Sequence, residues 1–241
     1  MKRLLALLCA LLLVCANAFA FTSVKPGRSG GGTDLSSAGY GDTVIFGRYN
    51  QNGGSADPLE WIVLERNGTE LIMMTKNAIA AMPFSDDPDI NQWAYCSLRK
   101  WLNRQFMNSA FDSDERAAML QVQLPSERNP FYDTLSPGPG TTDYVFLLSW
   151  QEWRDYVSGS NFSICGLTPT AMRTITRTES EQYVIGHTNC WWWLRSVSFS
   201  DKDAQFVNKD GGSTRANHLA TALPHGGVRP VICVDVSRYY K

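Results

Sequence analysis

"CWWWLRS", residues 190–196, sets three tryptophans in a row between a cysteine and an arginine. The fold turns on whether this is a strand of core that carries one charge or an exposed aromatic platform. On a strand, side chains alternate faces, so Trp191, Trp193 and Arg195 share one face while Trp192, Leu194 and Ser196 share the other. Burying an indole removes roughly 150–250 Å² from water, which at about 25 cal/mol per Å² sets an upper bound near 5 kcal/mol per ring. That gain assigns Trp192 and Trp193 to the framework. Trp191, at the edge of the run, is the ring expected to stay exposed and to contact a ligand.

Arg195 and Arg229 each lie in a hydrophobic strand, where an unpaired charge is costly. A planar guanidinium held by carboxylates or backbone carbonyls and stacked on tryptophan is the expected structural solution. Glu60, inside "LEWIVL", and Asp143, before "YVFLLS", are the partners that sequence suggests.

Working outward, "TVIFGRY" (43–49), "LEWIVLER" (59–66, with Trp61) and "ELIMMTK" (70–76) read as three β-strands, with Asn67-Gly68 as a hairpin turn. Ser97 can cap a helix whose Leu98, Trp101, Leu102 and Phe106 recur at the spacing of one buried face. A second helix starts near Asp112 or Ser113. Residues 125–142 form a loop rich in proline and glycine. "YVFLLS" (144–149) reads as a buried strand that runs into Ser149-Trp150-Gln151-Glu152, a capping box. Thr168-Pro169 opens another helix. Strands return at 191–196, 204–208, about 213–219 and 228–235, with a turn at Asp210-Gly211-Gly212. Strands, then helices, then antiparallel strands predict an α+β fold of irregular antiparallel sheets with a few helices.

The start of the chain, residues 1–20, has the pattern of a signal peptide: Lys2 and Arg3, an apolar run from Leu4 to Val14, and Ala18-Phe19-Ala20 as a small-x-small site. Cleavage is expected after Ala20. A lipoprotein reading would use Cys15, but Val14 fits poorly before such a cysteine. Residues 21–39, poor in large apolar side chains, read as a flexible leader, and 40–241 as one globular domain. The expected product is exported, secreted or cell-surface-associated, with no membrane span. Loss of Lys2 and Arg3 leaves 20 basic against 23 acidic side chains, a net charge of −3, which gives no footprint for nucleic acid.

Cys96, Cys165, Cys190 and Cys233 remain after cleavage, an even number in an oxidising compartment, and could form disulfides in any of three pairings or stay buried free thiols, since a domain this size does not need staples. No C-x-x-C is present. Asp201, Asp203, Asn208 and Asp210 suggest calcium, yet their spacing fails the EF-hand loop. His187, His218 and His225 fall in no metalloprotease motif, and no G-x-S-x-G, phosphate loop or dinucleotide fingerprint occurs. No catalytic residue, metal ligand or cofactor is therefore assigned.

Read in order, "GDTVIFGRY…EWIVLE", "SLRKWLNRQFMNSAF", "DYVFLLSWQE", "WWLRS" and "GGVRPVI" resemble a bacterial domain of unknown function, family 6273, over about residues 40–236. The pairing of WWLRS with a later GVRP is the most specific part. The family is similar in layout to C-type-lectin-like folds, where a tryptophan-rich strand and a late G-[FV]-R strand close an irregular α+β domain. The resemblance implies a compact scaffold with variable loops, and supports a structural role for Trp192, Trp193, Arg195 and Arg229, with Trp61 and Trp101 as further framework. The Glu-Pro-Asn, Gln-Pro-Asp and Trp-Asn-Asp triplets of calcium-dependent sugar-binding lectins are absent.

The expectation is an exported, non-catalytic binding or surface-interaction module for a glycan, a cell-wall component or a protein. Its exposed candidates are Trp191 and the loops 125–142, 158–163 and 197–203. Two alternatives stand: a cysteine-dependent enzyme resembling the formylglycine-generating class, and a passive structural piece of a surface assembly.

Overall fold

A computed structural model of the chain describes residues 32–175, 184–185, 189–222 and 225–241. The fold is α+β, and its strand pairs are mostly antiparallel. The signal-peptide reading, Cys9, Cys15 and His187 lie outside the described residues.

One sheet gathers β1 (Thr43–Tyr49), β2 (Asp57–Asn67), β3 (Glu70–Thr75), β16 (Val231–Asp235) and β5 (Met119–Leu120) in that order, with β8 (Val145–Phe146) also paired to β16. The turn between β2 and β3 uses Gly68 at a φ of 60°, a left-handed conformation that glycine adopts without steric penalty. A second sheet runs β14 (His218–Ala220), β13 (Asp203–Val207), β12 (Trp192–Ser198), β15 (Gly226–Val228) and β4 (Ala80–Met82). Here β12 and β15 are parallel, while β13 and β4 join antiparallel. In a small third sheet, β11 (Asn189–Cys190) lies between β9 (Cys165–Gly166) and β10 (Val184–Ile185).

All seven residues of β12 are buried, so the strand is covered on both faces. Alternation therefore does not expose one side of the tryptophan run. Its indoles find acceptors inside: Trp192 Nε1 donates to the Ser163 carbonyl at 3.1 Å and Trp193 Nε1 to the Met82 carbonyl at 3.0 Å. Elsewhere in the core, Trp61 Nε1 donates to the Phe46 carbonyl at 2.6 Å, and half-buried Trp101 stacks on Phe106.

The helices are short. α1 (Ser97–Trp101) continues through a π-helical turn (Leu102–Phe106) into α2 (Met107–Ala110). Its cap is Cys96, whose sulfur accepts from Arg99 N, because the Ser97 hydroxyl is taken up by Asp86 N. Capping boxes at Asp112/Glu115 and Ser149/Glu152 start α3 (Ser113–Ala118) and α4 (Trp150–Tyr156). Thr168 caps α5 (Pro169–Thr174), with Pro169 in its first turn.

At residues 32–39 the expectation of a flexible leader is corrected. Leu35 and Ala38 are buried, Thr33 N donates to the Thr43 carbonyl, and the Arg66 guanidinium donates to the carbonyls of Leu35 and Ala38. Leu35, Ala38 and the Arg66 guanidinium tie this stretch to the domain.

Candidate functional site

Between β6 (Val122–Leu124), β7 (Thr141–Asp143), β8 and α4 lies a cleft of about 450 Å³. Its apolar wall is made by Ile72, Val122, Leu124, Phe146 and Leu148. Glu127, Glu152 and Tyr156 supply polar groups at one end, and Thr141 and Thr142 form part of the lip. Small-molecule sites commonly have this make-up and fall in this size range, roughly 300–1,000 Å³.

The tryptophan strand holds one side of the cleft in place. Arg195 N donates to the Leu148 carbonyl at 2.9 Å, and Trp150 N donates to Ser196 Oγ at 2.9 Å, which fastens the start of α4 to β12. The Arg195 guanidinium donates to the Leu147 carbonyl at 2.9 Å and grips both oxygens of Glu152. Glu152 thereby serves two ends: Ser149 N also donates to its Oε2 as part of the capping box. The expected partners of Arg195 are otherwise engaged. Asp143 is bound by Arg99 at 2.7 Å and by Trp93 Nε1, and Glu60 faces Lys76 at the surface.

Glu127 is the odd member. Its Oε2 lies 3.9 Å from Arg195, beyond hydrogen-bond reach, and is buried with no hydrogen-bond partner among the described residues. Burial pushes its pKa above the ordinary carboxyl range, and the Glu152 and Asp155 charges add to the rise against the pull of Ser149 and Arg195. At the same end, the Tyr156 hydroxyl donates to Glu65 Oε2 at 2.6 Å. Burial and then Glu65, with Glu152 and Asp155, raise the phenol's pKa as well.

A family model for the domain of unknown function DUF6273 matches residues 67–236, most of the chain and every residue of the cleft. The chain belongs to this family. No curated protein and no solved structure matches it.

Within this DUF6273 domain, none of the tryptophans or cysteines singled out from sequence lines the cleft. Trp191, expected at the surface, is only 2% exposed. It packs edge-on to Trp193 with centroids 4.7 Å apart and to Phe206 at 5.1 Å, over Gly226, where a Cβ would come within 2.5 Å of its ring. The glycine opens a slot that takes the indole inward. Arg229 is fully buried, stacked 4.8 Å above the Trp192 ring, and donates to the carbonyls of Thr75, Lys76 and Phe162. No carboxylate among the described residues pairs with it.

The four cysteines among the described residues are buried thiols, and Cys165 and Cys190 lie together. The enzyme alternative needs an accessible reactive thiol, which burial opposes. Asp203 accepts from Ser200 Oγ, and Asp210 from Gly212 N, within their own turns. No group of three or more His, Cys, Asp or Glu placed to hold a metal is found among the described residues, nor any helix long and apolar enough to cross a membrane. Of the three loops, 125–142 reaches the cleft. Ser163 and Ser198 are buried, while Phe199, 61% exposed at a φ of 43°, stacks on His218.

Sequence reading missed Glu127, Tyr156 and Leu148, and saw Glu152 only as a helix cap. One signal was present: a capping-box glutamate is already fixed in direction, and a buried arginine needs such a partner.

Proposed function

We propose that this chain is an exported binding module of C-type-lectin-like layout that holds an extracellular ligand in the cleft between β6, β7 and α4. The cleft carries the reading: a preformed apolar wall meets a small number of fixed polar groups, on a framework fastened by Arg195 and Ser196. The signal-peptide pattern of residues 1–20 supports export. A glycan, a cell-wall component or a protein segment is the partner class, and no catalytic set is invoked. Trp191 has no part in binding, since its ring is enclosed.

The test is binding of the purified protein to an array of glycans, cell-wall fragments and extracellular proteins, in parallel with Thr142→Trp, which places a large ring at the exposed lip. A hit lost in Thr142→Trp is the expected result. Hits that ignore the substitution, or none at all, would move the function to another surface and favour the passive structural alternative.

A further inference from the structure

Resting on the cleft as the binding site, we infer that its occupant presents an alkylammonium group: an aliphatic stem laid along Val122, Leu148 and Phe146, ending in a protonated amine at Glu127.

Charge balance points this way. At the polar end, the carboxylates of Glu127 and Glu152 face one guanidinium, Arg195, whose fork is used on Glu152. One negative charge is left over there. Glu65, behind Tyr156, adds another with no ion-pair partner among the described residues. Hydrogen bonding shows the same deficit, because Glu127 Oε2 has no donor among the described residues. A buried acceptor left unpaired is costly, and a donor that brings positive charge satisfies both deficits at once. Burial is the main cause of the raised pKa at both the Glu127 carboxyl and the Tyr156 phenol; Glu152 and Asp155 add to both, against Ser149 and Arg195 at Glu127 and alongside Glu65 at Tyr156.

The apolar wall fixes the rest of the ligand. Val122, Leu148 and Phe146 are buried side chains that still border the cleft, so methylenes laid against them leave water. A sugar would bring hydroxyls to that wall and leave them unpaired, whereas the stem of an alkylamine would not. Glu127 is already partly desolvated, with its Oε2 buried, so binding bears less of that penalty.

The experiment is a methyl-detected NMR titration of the full chain with 1-aminopentane, 1-pentanol and Nα-acetyl-lysine methylamide, repeated on Glu127→Gln. Saturable shifts at Val122, Leu124 and Leu148 with the amine are expected, with pentanol at least tenfold weaker. Glu127→Gln should lose at least tenfold in amine affinity while keeping its near-UV circular dichroism. Equal binding of amine and alcohol, or full affinity in Glu127→Gln, would overturn the inference. If the lysine derivative matches the free amine, the source is a lysine side chain; if only the free amine binds, it is a small alkylamine. No amine binding alongside a Thr142→Trp-sensitive array hit would sink the alkylammonium assignment and leave the cleft as the binding site. Amine binding that survives Thr142→Trp would remove the cleft itself.

Discussion

Cys190 stands directly opposite Cys165 across the β11–β9 ladder, with their Sγ atoms 3.8 Å apart. Burial opposes the Cys165 thiolate, but the Cys190 S–H and the Arg229 guanidinium outweigh it and bring its pKa down. The hydrogen bond to Cys165 holds the Cys190 thiol well above its ordinary value. Of the three pairings open from sequence, this is the one the strands put in register.

Refolding in the presence of a small-molecule disulfide, which reaches the thiols before they are buried, is therefore expected to link Cys165 to Cys190 and leave Cys96 and Cys233 as thiols. Two protons and two electrons leave for the oxidant as the sulfurs close to about 2 Å. Peptide mapping of the oxidised protein checks this, and a Cys96–Cys233 peptide would refute it. The cross-link should stabilise the fold by about 3 kcal/mol, seen as a higher unfolding midpoint.

Cys96 should be inert. Burial pushes its thiol up to about 12, so almost none is thiolate at neutral pH. Alkylation of the native protein at pH 7 should leave Cys96 unmodified until denaturant is added, and rapid native labelling would contradict the burial.

Arg229→Met should destabilise by about 2–3 kcal/mol, since the buried Thr75 carbonyl and the part-buried carbonyls of Phe162 and Lys76 lose their donor at roughly 1 kcal/mol each. Arg229→Lys should recover little of this, because an ammonium cannot reproduce the planar fork or its stack on Trp192. Urea unfolding midpoints measure both, and a lysine variant as stable as the parent would show that charge alone matters.

Glu127 gives a pH signature. Its folded pKa lies above the unfolded value, so between the two the native state holds more protons and stability falls as pH rises through that window. Glu127→Gln should accordingly be at least as stable as the parent at pH 7, with the difference vanishing near pH 4. Chemical denaturation at the two pH values would reveal it, and a variant less stable at pH 7 would contradict the sign.

Gly226→Ala should fail to fold stably, because the added carbon would lie 2.4 Å from both the Trp191 and Trp193 rings, which have no room to retreat. Loss of the near-UV tryptophan signal, or no soluble protein, is the readout.

Much of the framework was legible because it follows from local rules. Asn67-Gly68 turned as glycine geometry requires, and Ser149/Glu152 capped α4 as its spacing indicates. What escaped depended on neighbours remote in sequence. Trp191 is buried because Gly226 and Phe206 come to it from other strands. The partner of Arg195 was misjudged since Asp143 is claimed by Arg99, a residue on a helix that no strand pattern reveals. The cleft was hardest to foresee: its wall draws on Ile72, Val122, Phe146 and Leu148, and nothing in the spacing of Glu127 marks it as poorly paired.

The strand nearest the carboxyl end, β16, is an interior member of the first sheet, bordered by β3, β5 and β8. As the chain is synthesised, β1 to β3 can form a meander, but its inner edge stays open until residues 231–235 arrive. Long-range closure of this kind is slow and comes late. Closure of this sheet thus waits until β16 has been made. A ribosome-stalled fragment ending before Val231 should remain protease-sensitive, and one extended past the exit tunnel should acquire resistance in a single step.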